Sequence, residues 1–229
     1  MINLTLEQQV MLLVIECFEN GRPNLFHQTY WNATTKELSG GLLMASTLSG
    51  NLGKLLQEYQ SLGGTLVAPE LVAGVVQKTI LSDLGLIKTF QAAFSHAGSD
   101  PIMRETQRTF FAREFLMPAE KKAAKLGITE PLGRLAILDS FVQGAFGTVL
   151  SKMSPTYPDT NQPLNQWDLT RNYLSTRRNW LALNPNKVLN RTVDRVDCLM
   201  ALEKEGHWDL KLPVHLTTKG YTLTEVDLA

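Results

Sequence analysis

Between Val10 and Phe18, nine consecutive positions carry one polar side chain, Glu16. That run predicts a helix buried nearly all round, opened by Thr5-Leu6-Glu7-Gln8, where the Thr5 hydroxyl and the Gln8 amide can satisfy each other's free backbone donors. Gly21 and Pro23 stop it near Asn20. The spacing of Leu48, Leu52, Leu55, Leu56 and Tyr59 suits a second helix, ended by Gly63-Gly64. Pro69 opens a third as a first-turn proline, and Phe90, Ala93 and Phe94 mark a fourth before Gly98. Asp100-Pro101 has the chemistry of a cap followed by a proline, and Met103, Phe110, Phe111 and Phe115 share one side of the helix after it. Pro118 begins a short helix that stops near Gly127.

Pro131 to about Leu150 is the second strongly apolar helix (Leu132, Leu135, Ile137, Leu138, Phe141, Val142, Phe146), expected at the centre of the fold. Ser154 to Pro163 changes to Ser, Pro, Asp, Thr and Asn, and reads as an exposed, mobile loop. Helices resume from Leu164 to Leu181 and from Asn186 to Glu205, where Leu189, Val193, Val196 and Met200 step by four, three and four. Short alternating pieces after His207, with Lys219-Gly220, suggest one hairpin. The class is mainly α, with a little β between Arg22 and Ser39. No repeat or low-complexity tract breaks residues 1–229, which read as a single domain.

Charge changes this picture little. Twenty-two basic and twenty-two acidic residues leave no net field, so neither nucleic acid nor a membrane surface is implied as a partner. The apolar run from Val10 is shorter than the roughly 20 residues a bilayer span requires. Met1-Ile2-Asn3-Leu4-Thr5 lacks the basic region and cleavage site of a signal peptide, so the expectation is a chain made in the cytoplasm. Cys17 and Cys198 read as buried free thiols. His27, His96, His207 and His215 have no ligand spacing, so neither a metal nor another cofactor is expected.

Glu19 is the first candidate for chemistry. It lies in the last turn of its helix, where the macrodipole disfavours a negative charge, and follows Phe18 into an apolar wall. Both favour the neutral acid that protonating a glycosidic oxygen requires; taken alone, the position also suits an exposed helix-end glutamate. Glu37 is the only acid between Glu19 and Gly40, and reads either as a second carboxylate or as a solvated loop charge. Ser39 could hold a water or simply turn the chain ahead of Gly40-Gly41. Asp139, Arg177 and Arg191 are charges in apolar-periodic helices, and form either an interhelical network that positions the first helix or separate surface charges. Trp31, Trp167, Trp180 and Trp208 could stack on sugars or pack in the core.

In order along the chain, these residues resemble the chitosanases of glycoside hydrolase family 46, within the lysozyme-like superfamily. Ser39-Gly40-Gly41, Gly50-Asn51 and Gln57-Glu58-Tyr59 look like the family's Thr-Gly-Gly, Gly-Asp and Gln-x-Tyr landmarks. Glu19-Asn20 matches its general-acid Glu-Asn, Leu132-Gly133 to Asp139 its central helix with an aspartate, and Tyr173-Leu174 through Arg177, then Arg191, its two network arginines. The resemblance implies a two-lobed lysozyme-like α+β fold with a substrate cleft between the lobes, Glu19 as general acid, and Asn20, Lys36, Gly40, Gly50 and Asn51 lining sugar subsites.

The departures shape the expected function. The family's catalytic aspartate would fall near Thr34, which cannot act as a base, leaving Glu37, with Ser39, to direct water; some lysozyme-like enzymes manage with one essential acid. Asn51 stands where the family has an aspartate that pairs with a free amino group of chitosan, and an amide instead suits a neutral N-acetyl group. The expectation is a glycosidase cleaving β-1,4 bonds of an amino-sugar polymer, foremost peptidoglycan, with chitosan hydrolysis and an inactive glycan-binding module as alternatives. A wall-degrading role fits a phage endolysin or a delivered antibacterial effector acting outside the cytoplasm, the latter with an immunity protein as partner.

Overall fold

The computed structural model describes residues 2–228. The capping box is in place: Thr5 N donates to Gln8 Oε1 at 3.0 Å and Gln8 N to Thr5 Oγ1 at 3.3 Å, opening α1 (Leu6–Asn20). Three short strands follow, β1 (Thr29–Asn32), β2 (Glu37–Gly40) and β3 (Ala45–Ser46), then α2 (Asn51–Ser61), α3 (Pro69–Val76), α4 (Leu84–Ala97) and α5 (Pro101–Phe111). The second half holds α6 (Met117–Lys125), α7 (Pro131–Gln143), α8 (Phe146–Leu150), α9 (Gln166–Ala182), α10 (Lys187–Asn190), α11 (Val193–Lys204) and a hairpin of β4 (Val214–Leu216) and β5 (Tyr221–Leu223). The chain is mainly helical, as the periodicity predicts. No helix among the described residues is long and apolar enough to cross a membrane.

Two compact units divide the chain, and α1 belongs to both: its residues up to Phe18 lie in one, Glu19 and Asn20 in the other. The first unit comprises Glu19–Ala112 with the N-terminal residues before Leu4. Its sheet is antiparallel in the order β1-β2-β3, in register Tyr30 to Ser39 to Ser46 and Thr29 to Gly40 to Ala45. Strand pleating therefore gives it two unlike faces. One, with Thr29, Leu38 and Gly40, turns to α4: a Cβ added at Gly40 would lie 3.2 Å from the Phe94 ring, and Gln91 Nε2 donates to Thr29 Oγ1. The other carries Tyr30, Asn32, Glu37, Ser39 and Ser46. Leu52, Leu55, Leu56 and Tyr59 of α2, Phe90 and Phe94 of α4, and Met103, Phe110 and Phe111 of α5 form the buried core. Leu48, read above as part of the second helix, is exposed, because Gly50 at φ 77 turns the chain before α2 begins.

The second unit comprises Leu4–Phe18 and Arg113–Ala229. Here α7 packs against α6, α9 and α11. Three boundaries differ from the apolar pattern. Asp100 caps α5 as expected, accepting from Ile102 N, but α5 runs into a π-helical turn, Ala112–Leu116, and on into α6 without a break. The wide turn lets Pro118, which has no N–H, sit just after it. The Pro131–Leu150 helix stops at Gln143 because Gly144 and Ala145 take φ of 81° and 73°. Asn186–Glu205 breaks at Arg191-Thr192 into α10 and α11. The segment expected to be mobile, 154–163, is tied to α9: Tyr157 Oη donates to Asp168 Oδ2 at 2.6 Å, and Asn172 Nδ2 to the Ser154 carbonyl at 2.7 Å. Cys17 and Cys198 are buried free thiols, and burial pushes Cys17 up to about 12.

Candidate active site

Glu19 enters the first unit at the end of α1 beside Asn20, and Asn20 fixes where that end lies. Its Nδ2 donates to the carbonyl of Leu42 at 2.6 Å. Leu42 belongs to the turn joining β2 to β3, which Gly41 makes possible at φ 82. This turn is clamped from below by Gln107 of α5, a fully buried amide: Leu42 N donates to Gln107 Oε1 at 2.9 Å, and Gln107 Nε2 to the Phe26 carbonyl at 2.9 Å. A Cβ on Gly41 would lie 2.5 Å from Gln107 Oε1, so only glycine fits. Gly41 N also donates to the Gln28 carbonyl at 2.9 Å. One buried amide thus joins the loop after α1 to the turn that holds Asn20.

The polar sheet face starts from that turn. Ser39 is 7% exposed. Glu37 shares its face two residues away, about 7 Å along the strand. Across the ladder from Ser39 lie Tyr30 on one side, an exposed aromatic, and Ser46 on the other. Ser46 Oγ accepts from Ser49 N at 3.2 Å, and Ser49 Oγ accepts from Asn51 N at 3.3 Å, so the polar series runs from β2 across β3 to the first residue of α2. Gly50, at φ 77, turns the chain to bring Asn51 there. The side chains of Glu37, Ser39 and Asn51 make no hydrogen bond among the described residues, and remain open to a ligand or a water.

Lys36 and Thr34 occupy the β1–β2 turn. Asn32 Oδ1 accepts from the backbone of Thr34 and Thr35 at 3.0 and 3.2 Å, and Lys36 closes the turn at φ 51. Thr34 is exposed and uncharged, so Glu37 is the acid this hairpin presents. Among the described residues no group of three or more His, Cys, Asp or Glu could hold a metal ion.

The buried charges of the second unit form a triad around Asp139, which is completely buried. Arg177 Nη1 pairs with Asp139 Oδ2, and Arg195 gives Nε to Asp139 Oδ1 at 2.9 Å with Nη2 on the same oxygen. Burial alone would raise the Asp139 carboxyl, but the two guanidinium groups overcome it and hold the group below its usual range. The second arginine is therefore Arg195, where the sequence pattern points to Arg191. In one unbroken helix the two would share a face, four residues apart. The break at Arg191-Thr192 leaves Arg191 exposed at the end of α10, and puts Arg195 on the buried side of α11 with Val196, Cys198, Leu199 and Leu202. The Arg195 guanidinium also lies 5.1 Å from the centre of the Phe18 ring. Phe18 is the residue before Glu19, so the triad supports the end of α1.

Three positioning elements escaped the sequence reading: Gln107, Arg195 and the Ser46–Ser49 turn. For the first two a signal was present. Gln107 falls at an apolar-periodic position between Met103 and Phe110-Phe111, as Arg195 does beside Val196 and Leu199.

No protein-family model and no curated protein sequence matches the chain. Solved structures do. A family 46 chitosanase from Gynuella sunshinyii, in complex with chitotetraose, superposes with a TM-score of 0.79 at 22% identity, over 96% of this chain and 98% of that one. The native chitosanase of Bacillus subtilis MY002 gives 0.79 at 19% identity, over 97% and 100%. A mutant of it with one glutamate replaced by alanine, complexed with six glucosamine units, gives 0.79 at 18% identity over the same shares. The protein shares the fold of these chitosanases over nearly its whole length.

Proposed function

We propose that this protein is a glycoside hydrolase acting on the β-1,4 links of an N-acetylated amino-sugar polymer, the glycan of peptidoglycan, with Glu19 as general acid. The observation that carries the reading is the Asn20–Leu42 bond. It ties Glu19 to the turn at the end of a strand that bears a second carboxylate and a free hydroxyl. Glu19 would give its proton to the glycosidic oxygen as the C1–O bond breaks. A water oriented by Ser39 would attack C1 from the other face and pass its proton to Glu37, so that one water is consumed and both acids are reset on proton exchange. Asn51 supports an uncharged sugar beside this centre, since an amide offers hydrogen bonds without a countercharge for an ammonium.

A second reading, hydrolysis of chitosan, is favoured by the solved structures of the same fold that hold chitotetraose and six glucosamine units. Purified protein on both polymers, with products identified by mass, separates the two. Muropeptides from wild type and at least about 100-fold less from Glu19→Gln are expected, the usual contribution of a general acid. Glucosamine oligomers in their place would assign the substrate to chitosan, and equal product from Glu19→Gln would remove Glu19 from the mechanism. The Glu37→Gln form decides whether the second acid is needed. Action on the wall also requires the chain outside the cytoplasm, as a released or delivered lysin. Wild type directed to the periplasm should lyse cells where Glu19→Gln does not; an immunity protein in the producer would protect against the first.

A further inference from the structure

A second place for a sugar lies within the other unit, at the C-terminal end of α9. There Thr176, Asn179 and Trp180 fall at i, i+3 and i+4 on one helix face, with Leu183 just beyond them as the residue that caps the helix end. With Lys152 and Asn184 they line a cavity of about 440 Å³. That volume is within the usual range for small-ligand sites, which combine an aromatic wall with a few polar groups.

The polar groups here are unspent. Thr176 Oγ1 donates to Asn172 Oδ1 at 3.2 Å, which leaves its lone pairs as acceptors. Asn184 Oδ1 accepts from Asn186 N at 3.0 Å, which leaves its NH₂ as a donor. The Asn179 amide, the Trp180 indole N–H and the Lys152 ammonium have no hydrogen-bond or ion-pair partner among the described residues. Leu183 is 84% exposed beside them. A half-buried tryptophan, an exposed leucine and two side-chain amides match a pyranose with an N-acetyl group. The indole can stack on the apolar sugar face, the leucine can meet the acetyl methyl, and the amides can pair with its N–H and C=O. Lys152 is the sole charge in the lining. It would repel a protonated glucosamine and tolerate a neutral unit.

We infer that the α9 cavity is a binding subsite for an N-acetylated amino-sugar unit. It takes only its choice of glycan from the proposed function and does not depend on cleavage, so the test uses the Glu19→Gln protein throughout. Four tryptophans give four indole N–H resonances in a ¹H–¹⁵N spectrum, and Trp180→Phe assigns one of them. Titration with an N-acetylglucosamine tetramer should move the Trp180 resonance saturably. A glucosamine tetramer should bind there about fivefold more weakly, the effect of roughly 1 kcal/mol between charges that water screens fully. Lys152→Glu should abolish or reverse that preference, and Asn184→Ala should weaken the acetylated ligand. A Trp180 resonance that no glycan moves at millimolar concentration overturns the inference, as does equal binding of the two tetramers. Binding at this resonance by a protein that cleaves nothing would still uphold it, so its failure and that of the catalytic reading are separable.

Discussion

Replacing Arg195 with methionine, and Arg191 with methionine in parallel, tests the buried triad. Asp139, Arg177 and Arg195 are 0%, 1% and 2% exposed, so none can turn to solvent for compensation. Arg195→Met keeps the long apolar stem but removes a guanidinium that meets one carboxylate oxygen through two nitrogens and lies over Phe18. Breaking a buried pair from one side costs about 3–5 kcal/mol, because a charge is left in the interior. For a chain of this size that corresponds to a fall in Tm of roughly 10 °C. Arg191→Met, at an exposed helix end, should stay within about 0.5 kcal/mol of wild type. Urea unfolding followed by circular dichroism measures both. Equal effects, or the larger one at Arg191, would refute the assignment of the second arginine.

The pH dependence adds an independent check on the same variant. Asp139 is held below its unfolded value of about 3.9, so its contribution is fully present above that value. It is lost as pH falls through the folded value. Removing Arg195 takes away one of the two charges holding the carboxyl down, so the folded value in the variant is higher. The variant therefore has less stability to lose to acid: its fall begins near the same unfolded value but is smaller and ends at a higher pH than in wild type. The gap between the two proteins should be widest near neutrality and narrow once Asp139 is protonated in the variant. A gap independent of pH would mean that the loss is one of packing against Phe18 and not of charge.

Two further substitutions test how the turn between β2 and β3 is held. Gln107→Leu keeps the volume but leaves Leu42 N–H and the Phe26 carbonyl buried without partners, at about 1–3 kcal/mol each; denaturant unfolding should show a loss of roughly 4 kcal/mol, and less than 1 kcal/mol would mean that water replaces the amide. Gly41→Ala puts a Cβ 2.5 Å from Gln107 Oε1 in a left-handed backbone, so a loss of roughly 2 kcal/mol or more is expected in the same assay, and wild-type stability would show that the turn can move aside.

Most helices could be read from the sequence because their causes are local. The Thr5–Gln8 box, the Asp100-Pro101 start and the run from Val10 to Phe18 each act within a few residues. The errors arose where backbone conformation overrides apolar spacing. Gly144-Ala145 ends α7 by positive φ, although Phe146 continues its pattern, and the α10–α11 break turns Arg191 away although Leu189, Val193 and Val196 keep period. The sheet was anticipated only as far as Ser39, because β3 is two residues long and carries no alternation to detect.

At the candidate site the groups proposed to react could be singled out in the sequence and their supports could not, for a physical reason. A carboxylic acid at a helix end and a glycine pair are visible one at a time. Gln107 stands 65 residues from Leu42 and 81 from Phe26, and its meaning lies only in those contacts. A glutamine within an aromatic helix face reads as a small imperfection until the turn it clamps is known. The same holds for Arg195 with Asp139, 56 residues apart. Buried polar groups are costly unless fully paired, so each such interruption implies a partner elsewhere in the chain. Both interruptions resolve into supports for the two sides of one short stretch: Arg195 against Phe18, and Gln107 under the turn that Asn20 grips. Glu19 lies between Phe18 and Asn20, and each of these neighbours is held by a group tied to a buried polar network.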